Sequence, residues 1–251
     1  MPEGRLRLLI LGGTGEAAVL ARRVAAEMGD RIIPISSLAG RLPNRPNLPG
    51  EIRVGGFGGA DGLAAYLRDA RIDLVIDATH PFAAVISAAA AHACATDAIP
   101  RLMLVRPGWV AQSGDRWIEV DGIDEAAALF PDLARRVFLA TGPGAIDAFA
   151  GLADVWFLVR LFAPPAAPLR LAHGASFVAR PPFTVESERE LLARRRIEAM
   201  VCKNSGGPTA AKLVAAREAG IPVVMLRRPV LPEGETVANV EAALAWLHRQ
   251  C

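Results

Sequence analysis

The chain of 251 residues has little cysteine, and its few cysteines form no pattern typical of a disulfide framework or a zinc site. Cys94, Cys202 and Cys251 are an odd number without a C-x-x-C pair, which favours a reducing compartment. The four histidines show no ligand spacing with one another or with cysteine, so we expect no metal. A G-x-S-x-G sequence is also missing, which excludes the nucleophile elbow of the serine hydrolases.

The sequence also lacks long apolar runs and a strong net charge. The apolar run from Leu8 is too short for a signal peptide, and the small-apolar stretch 82–95 is too short and too interrupted for a membrane span. With 28 basic and 26 acidic residues the net charge is +2, which indicates neither nucleic acid nor an acidic membrane as partner. We therefore expect a cytoplasmic globular protein.

Apolar runs alternate with helical patterns along the whole chain, which predicts α/β architecture with parallel sheets flanked by helices. Predicted strands cover residues 7–11, 31–36, 51–54, 72–77, 101–105, 137–141, 155–160, 176–179, 197–202 and 222–226. Predicted helices cover residues 15–28, 61–70, 81–96, 186–195, 209–219 and 240–249, of which 81–96 is expected to be buried on all sides. The run from Val137 into Gly142 resembles the opening of the chain. We expect two Rossmann-like domains, residues 1–132 and 133–251, with the active site in the cleft between them.

The first apolar run ends in a glycine-rich loop made of Gly12, Gly13, Thr14, Gly15 and Glu16. From Gly13 the spacing is G-x-G-x-x-A, which is typical of a strand-to-helix turn that carries a pyrophosphate on the helix N-terminus. Glycine-rich turns also join strands to helices in proteins that bind no nucleotide. Its position after the first strand favours a cofactor loop over such a turn.

The segment after the second strand lacks the carboxylate that usually holds the ribose hydroxyls of NAD. It carries instead Ser36, Ser37 and Arg41. Hydroxyls and a guanidinium suit a 2′-phosphate, so the predicted cofactor is NADPH. The alternative is that the three are ordinary loop residues.

Two further segments follow strands in the first half. Gly56 and Phe57 belong to a GGFGG sequence that allows close approach of a ligand, or that is only a flexible turn over a buried ring. The sequence DATHPFA begins at Asp77, and Thr79 is expected to hold a polar group of the cofactor. His80 can donate a hydrogen bond or a proton near neutral pH, although a lone histidine is more often structural.

In the second half, a lysine, an amide, a hydroxyl and two glycines follow one strand: Lys203, Asn204, Ser205, Gly206 and Gly207. These groups suit a carboxylate or a phosphate. The alternative is that Asn204 or Ser205 only caps the next helix.

Other candidate groups for an anionic substrate lie near strand ends. Thr141 and Gly142 end one predicted strand, and Trp109 offers a flat apolar face to a planar ligand or closes a core. Arginines at strand ends would make a cleft positive if they face it. They are Arg106, Arg160, Arg180, Arg227 and Arg228.

Together the motifs resemble the precorrin-6A reductase family of cobalamin biosynthesis. They are GGTGEA at Gly12, the Ser-Ser-x-x-Gly-Arg turn that ends at Arg41, GGFGG at Gly55, DATHPFA at Asp77 and KNSGG at Lys203. The resemblance covers nearly the whole chain. It implies NADPH-dependent reduction of one double bond of a carboxylate-rich tetrapyrrole to give precorrin-6B, with a metal-free or a cobalt-containing substrate.

The resemblance also implies roles for residues. The first domain would hold NADPH near Thr79 and His80, and Lys203 with Ser205 and Gly206 would anchor substrate carboxylates. His80, Lys203 or solvent would supply the proton, and neighbouring pathway enzymes would make handover contacts. Two alternatives remain: a non-catalytic NADP sensor, and an NADP-dependent oxidoreductase that acts on another anionic small molecule.

Overall fold

A computed structural model describes residues 4–40, 47–165 and 167–251 and divides the chain into two compact units. The first unit comprises Met1–Pro107 and Pro229–Cys251, and the second comprises Gly108–Arg228. Each contains one six-stranded sheet in which every recorded strand pairing is parallel. The predicted α/β class with two parallel, helix-flanked sheets is confirmed.

The strands and helices are numbered in chain order. The strands are β1 (Leu6–Leu11), β2 (Ile32–Leu38), β3 (Glu51–Val54), β4 (Leu74–Asp77), β5 (Arg101–Leu104), β6 (Trp117–Val120), β7 (Arg136–Ala140), β8 (Trp156–Leu161), β9 (Gly174–Val178), β10 (Ala199–Lys203), β11 (Val223–Leu226) and β12 (Glu235–Val237). The helices are α1 (Gly15–Met28), α2 (Ala60–Asp69), α3 (Ala84–Thr96), α4 (Ile123–Ala128), α5 (Phe130–Leu133), α6 (Val185–Arg194), α7 (Ala211–Glu218) and α8 (Val240–His248). None of those described is long and apolar enough to cross a bilayer.

The two sheets share one topology, but each takes its sixth strand from an unexpected place in the chain. The orders are β3-β2-β1-β4-β5-β12 and β9-β8-β7-β10-β11-β6. Five strands of each sheet follow the 3-2-1-4-5 order of dinucleotide-binding folds. In the first sheet the sixth strand is β12, which follows the whole second unit in the chain. In the second sheet it is β6, which precedes β7.

This division differs from the predicted boundary near residue 133. The repeat that begins at β7 does correspond to β1, because both strands hold the same central position in their sheets. The prediction missed β6 and β12, which are only four and three residues long and partly exposed. Such short edge strands carry too few apolar residues for a clear hydropathy pattern.

Alternating residues of β1 build the two faces of the first core. Leu8 and Ile10 pack against α1 and α8, whereas Leu9 and Leu11 pack against α2 and α3. Because side chains of a strand alternate between faces, one strand of four consecutive buried residues supports both helical layers. Helix α3 covers its face with one side only, since Val85 is 86% exposed. The expectation that this helix is buried on all sides was therefore wrong.

The second core packs different groups of side chains on the two faces of its sheet. On one face, Phe138 and Met200 pack with Leu192 of α6 and Leu213 of α7. The other face holds three fully buried phenylalanine rings with centroids 5.3 to 6.4 Å apart, in tilted and edge-on arrangements. They are Phe130, Phe149 and Phe157. After Gly142 the chain forms two short 3₁₀ turns, Pro143–Ala145 and Asp147–Phe149, before β8.

Candidate functional site

The glycine loop joins the central strand β1 to helix α1. Gly13 has φ +109°, a backbone conformation that favours glycine. The Thr14 hydroxyl accepts a hydrogen bond from the Ala17 N–H at 3.1 Å and donates one to the Ala78 carbonyl at 2.7 Å. The side chain of Thr14 therefore caps α1 and links the loop to the end of β4. The first N–H groups of α1 lie at this loop, which suits an anion.

A cavity of about 230 Å³ adjoins the loop. Its lining residues are Ile10, Gly12, Gly13, Thr14, Ala17, Ala18, Ser36, Leu38 and Leu48. The Ser36 residue is only 2% exposed, and its Oγ has no hydrogen-bond partner within the described part of the chain. Buried hydroxyls are nearly always hydrogen-bonded in proteins, so this one suits a polar group of a ligand. A glycine cradle, a helix N-terminus and an unsatisfied hydroxyl together fit a dinucleotide phosphate.

The two serines predicted to hold the cofactor lie on opposite faces of β2. Ser36 is in register with Ile10, and Ser37 with Leu11 and Arg53. Because neighbouring side chains of a strand point to opposite faces, the structure brings Ser36 and not Ser37 to the cavity. The third predicted residue, Arg41, lies outside the described residues.

The GGFGG loop after β3 is fixed by an arginine that the sequence analysis did not single out. Arg53 donates hydrogen bonds to the Gly55 carbonyl at 2.6 Å and the Gly56 carbonyl at 2.8 Å. Its guanidinium also lies 3.6 Å from the ring centre of Phe57, whose ring contacts Tyr66. One face of Phe57 is thus covered by protein, and the loop is organised around Arg53.

The segment after β4 lies beside the glycine loop because β1 and β4 are neighbours in the sheet. The buried Asp77 carboxylate accepts hydrogen bonds from the Thr79 N–H at 3.1 Å and the Thr79 hydroxyl at 2.6 Å. His80 Nδ1 accepts a hydrogen bond from the Phe82 N–H at 3.2 Å. In the neutral imidazole the proton therefore lies on Nε2. Strand order reverses between β1 and β4, which is where dinucleotide folds bind their ligands.

Arg106 lies in the first unit, where it forms an ion pair with Glu16 of the glycine loop at 2.9 Å. It was predicted as a substrate ligand, and the structure places it beside the predicted cofactor residues. The other arginines noted at strand ends also have protein partners. These are Arg160 with Glu188, Arg180 with the Phe162 carbonyl, Arg227 with Asp121, and Arg228 with the Asn204 carbonyl.

In the second unit the reversal point lies between β7 and β10. Thr141 and Gly142 follow β7, and Lys203 ends β10, so the structure brings these predicted substrate residues to one edge of the sheet. Gly142 has φ +81°, and the 6%-exposed Thr141 has an Oγ1 without a partner among the described residues. This edge repeats the arrangement of a glycine turn and a buried, unsatisfied hydroxyl seen in the first unit.

Asn204 is held by Trp109 and does not cap a helix. Its Oδ1 accepts from the Trp109 N–H at 2.7 Å, and its Nδ2 donates to the Trp109 carbonyl at 3.0 Å. The indole Nε1–H of Trp109 donates to the Gly207 carbonyl at 3.1 Å. Helix α7 has Ala210 at its N-cap without a side-chain cap, so the capping alternative for Asn204 and Ser205 was wrong.

The loop that contains Ser205 turns back on itself. The Ser205 N–H donates to the Lys203 carbonyl at 2.7 Å, and Gly206 and Gly207 have φ +65° and +76°. These contacts place Ser205 and the two glycines directly after the strand end that carries Lys203.

Lys212 belongs to this region but was missed in the sequence, because a lysine in a helix usually indicates a solvated face. It is 8% exposed, its Nζ donates to the Thr209 carbonyl at 2.8 Å, and it lies 4.3 Å from the ring centre of Trp109. Burial lowers the pKa of Lys212. Within the described ranges, no group of three His, Cys, Asp or Glu side chains is arranged to hold a metal ion.

The topology and the two strand-end loops define a protein of the Rossmann-like α/β class. Comparison with known proteins identifies a family within this class. The family model "Precorrin-6x reductase CbiJ/CobK" matches residues 7–248, and the chain belongs to this family.

Named relatives and a solved structure agree with the family assignment. The chain is 48% identical to a precorrin-6A reductase of Rhodococcus erythropolis, over 96% of this chain and 97% of the relative. It is 27% identical to a cobalt-precorrin-6A reductase of Salmonella typhimurium, over 98% and 95%. A solved structure titled "CobK precorrin-6A reductase" superposes with a TM-score of 0.89 at 41% identity and covers 97% of this chain and 96% of its own. The predicted resemblance is confirmed.

Proposed function

We propose that this chain is an NADPH-dependent oxidoreductase that reduces one ring C=C bond of precorrin-6A to give precorrin-6B in cobalamin biosynthesis. The observation that carries the proposal is the family match, which extends over residues 7–248 and includes both units. The unsatisfied Ser36 hydroxyl beside the glycine loop supports use of a phosphorylated dinucleotide. When bound, NADPH supplies the hydride.

The first unit supplies the residues for the cofactor. The N–H groups at the start of α1 bind the diphosphate, with Gly12, Gly13 and Gly15 leaving room for its approach. Ser36 donates its hydroxyl to the ribose or its 2′-phosphate. His80 holds a proton on Nε2, since Nδ1 faces the Phe82 N–H, and this proton suits delivery to the reduced macrocycle.

The second unit supplies the residues for the substrate. The macrocycle carries many acetate and propionate groups, so ammonium and hydroxyl donors are the complementary chemistry. Lys203 and Ser205 bind one such carboxylate at the end of β10, and Thr141 with Gly142 serves the neighbouring end of β7. Their contribution is orientation and charge complementarity, because the conjugated ring itself accepts the negative charge.

The metal-free macrocycle is the better-supported substrate. The relative named for precorrin-6A is 48% identical, whereas the relative named for cobalt-precorrin-6A is 27% identical over similar coverage. We therefore expect a higher kcat/KM with the metal-free ring than with its cobalt complex. A cytoplasmic location and handover contacts with neighbouring pathway enzymes remain predictions.

The test is NADPH oxidation by the purified protein when precorrin-6A is supplied. We expect equimolar loss of NADPH and macrocycle, and a cofactor sensor would consume neither. His80→Ala should lower kcat by about a hundredfold, and Lys203→Ala should mainly raise the KM for the macrocycle. His92→Ala is the matched control, because His92 is exposed on α3 and outside the proposed site. Absence of NADPH consumption by the wild-type protein would disprove the proposal.

A further inference from the structure

Trp109 lies at the centre of a hydrogen-bond network that holds the loop proposed to bind a carboxylate. We name the group formed by Gly108, Trp109 and Lys212 the Trp109 clamp. The clamp contacts the Lys203–Gly207 loop at two points, the Asn204 side chain and the Gly207 carbonyl. The backbone N–H, the backbone carbonyl and the indole N–H of Trp109 all serve these contacts, so its polar groups are directed at the loop.

Lys212 completes the clamp by contacting the indole ring. Its ammonium lies over the Trp109 ring at 4.3 Å and donates to the Thr209 carbonyl, two residues beyond Gly207. Lys212 is buried, and burying an ammonium group is costly unless its interactions compensate. Cation–π contact with a tryptophan is stronger in such a desolvated place than at the surface.

Gly108 provides an independent observation. A Cβ atom at this position would lie 3.2 Å from Asn204 Oδ1 and 3.5 Å from Asn204 Nδ2. Residue 108 is thus in close contact with the amide that holds Trp109. A Cβ at this position would push the Asn204 side chain away by a few tenths of an ångström, and Asn204 lies between Lys203 and Ser205 in the chain.

We infer that Trp109, Asn204 and Lys212 are positioning residues, which hold the Lys203–Gly207 loop in the shape that binds a carboxylate of the macrocycle. The inference rests on the proposed function. Trp109 and Asn204 then act through the loop and not by touching substrate, which differs from their predicted role as substrate ligands. Lys212 acts in the same way, through its contacts with the Trp109 ring and the Thr209 carbonyl.

The first experiment compares substrate and cofactor constants in Lys212 variants. Lys212→Met keeps the length of the side chain and removes the charge. We expect the KM for precorrin-6A to rise about tenfold, with a smaller change in kcat and an unchanged Kd for NADPH. Lys212→Arg, which restores a cation, should recover part of the KM. A wild-type KM in Lys212→Met would overturn the inference, and so would an equal loss of NADPH affinity.

The second experiment approaches the clamp from Gly108, in case Lys212→Met folds poorly. Gly108→Ala should raise the KM for precorrin-6A through the displaced Asn204 amide. Gly151→Ala is the matched control in the same unit, because a Cβ there meets no atom of the described residues within 4 Å. The inference fails if both glycine variants keep the wild-type KM.

A double-variant cycle distinguishes positioning from direct contact. If Lys212 acts through the loop, Lys212→Met should add little to the loss of macrocycle affinity already caused by Lys203→Ala. Fully additive losses would show that Lys212 acts independently of the loop and would refute its positioning role. These outcomes require an active wild-type enzyme, whereas the proposed function itself fails if the wild-type protein consumes no NADPH.

Discussion

Arg106 and Glu16 form an ion pair at the first turn of α1, with 2.9 Å between Arg106 Nη1 and Glu16 Oε2. A carboxylate at a helix N-terminus interacts favourably with the helix dipole. The same carboxylate would repel a diphosphate bound at that helix end. Arg106 offsets this repulsion, so the pair allows an acidic residue to remain in a loop that is proposed to bind an anion.

Removing Arg106 should therefore weaken NADPH binding through Glu16. We expect Arg106→Met to raise the Kd for NADPH about fivefold at low salt, because the carboxylate is then uncompensated. The double variant Arg106→Met/Glu16→Gln should return to near the wild-type Kd. Fluorescence titration of NADPH measures both. If the double variant binds as weakly as the single one, Arg106 contributes to binding without Glu16.

Ser36→Ala should separate cofactor affinity from stability. The hydroxyl has no partner in the described protein, so its loss should leave the Tm unchanged or slightly raised. If the hydroxyl binds the ribose phosphate, the Kd for NADPH should rise about tenfold and the preference for NADPH over NADH should shrink. Thermal melts measure the Tm, and titrations with NADPH and with NADH measure the two Kd values.

Ser37→Ala serves as the comparison for Ser36→Ala. Because Ser37 faces away from the cavity, its replacement should cost less NADPH affinity than replacement of Ser36. A larger cost at Ser37 would indicate that the cofactor contacts the other face of β2.

The central strands of both sheets could be predicted from sequence, but the exchange of edge strands could not. The four buried residues at the end of β1 and the run Val137–Ala140 both end in glycine turns, and this pattern located the two repeats. Which sheet β6 and β12 join depends on long-range pairing, such as Val223 with Trp117. Short, half-exposed segments carry no local signal for such pairing.

The same distinction applies to the site. The alternation of β2 already implies that Ser36 and Ser37 face opposite ways, so the sequence contained that information once the strand was placed to Leu38. The contact between Asn204 and Trp109 joins residues 95 positions apart and has no local signature. Their residue types suggested ligands, whereas the fold directs their polar groups at each other.

Cysteine chemistry provides a prediction with a pH dependence. Burial raises the pKa of Cys94 and of Cys202 from 9.0 to about 11, whereas Cys251 is exposed. Thiolates are the reactive form, so one thiol per native chain should react rapidly with Ellman's reagent and three after denaturation. Cys251→Ser should abolish the rapid phase. Two rapid thiols in the native protein would contradict the burial of Cys94 or Cys202.

The raised pKa values also affect stability. Below pH 9 both the folded and the unfolded chain keep these thiol protons. Between pH 9 and about 11 the unfolded chain releases them while the folded chain retains them, so the free energy of unfolding should fall as pH rises. Urea unfolding at a series of pH values measures this slope. In the variant Cys94→Ala, the free energy of unfolding should fall less between neutral and alkaline pH than it does in the wild-type protein. Each protein is compared with its own stability at neutral pH.

The strongest stability effect is expected at the ion pair of Arg160 and Glu188. The two residues are 8% and 2% exposed, and the two guanidinium-to-carboxylate distances are 2.7 and 2.6 Å. Glu188→Gln leaves a buried guanidinium without its counter-charge, beside the rings of Phe138 and Phe183. Loss of one partner of a buried pair costs about 3 to 5 kcal/mol. Urea unfolding of the variant should show a fall of this size in the free energy of unfolding.

Replacing both partners tests whether the loss comes from the uncompensated charge. In Arg160→Met/Glu188→Leu no charge remains to be desolvated, so much of the lost stability should return, because apolar replacements of buried pairs are often neutral or stabilising. The surface pair of Arg189 and Glu218 is the matched control, since it too involves a residue of α6, here paired with α7, but both side chains are about half exposed. Its disruption by Glu218→Gln should cost less than about 1 kcal/mol. If the double replacement at 160 and 188 is as unstable as Glu188→Gln, the pair stabilises the second unit by its specific geometry and not merely by charge compensation.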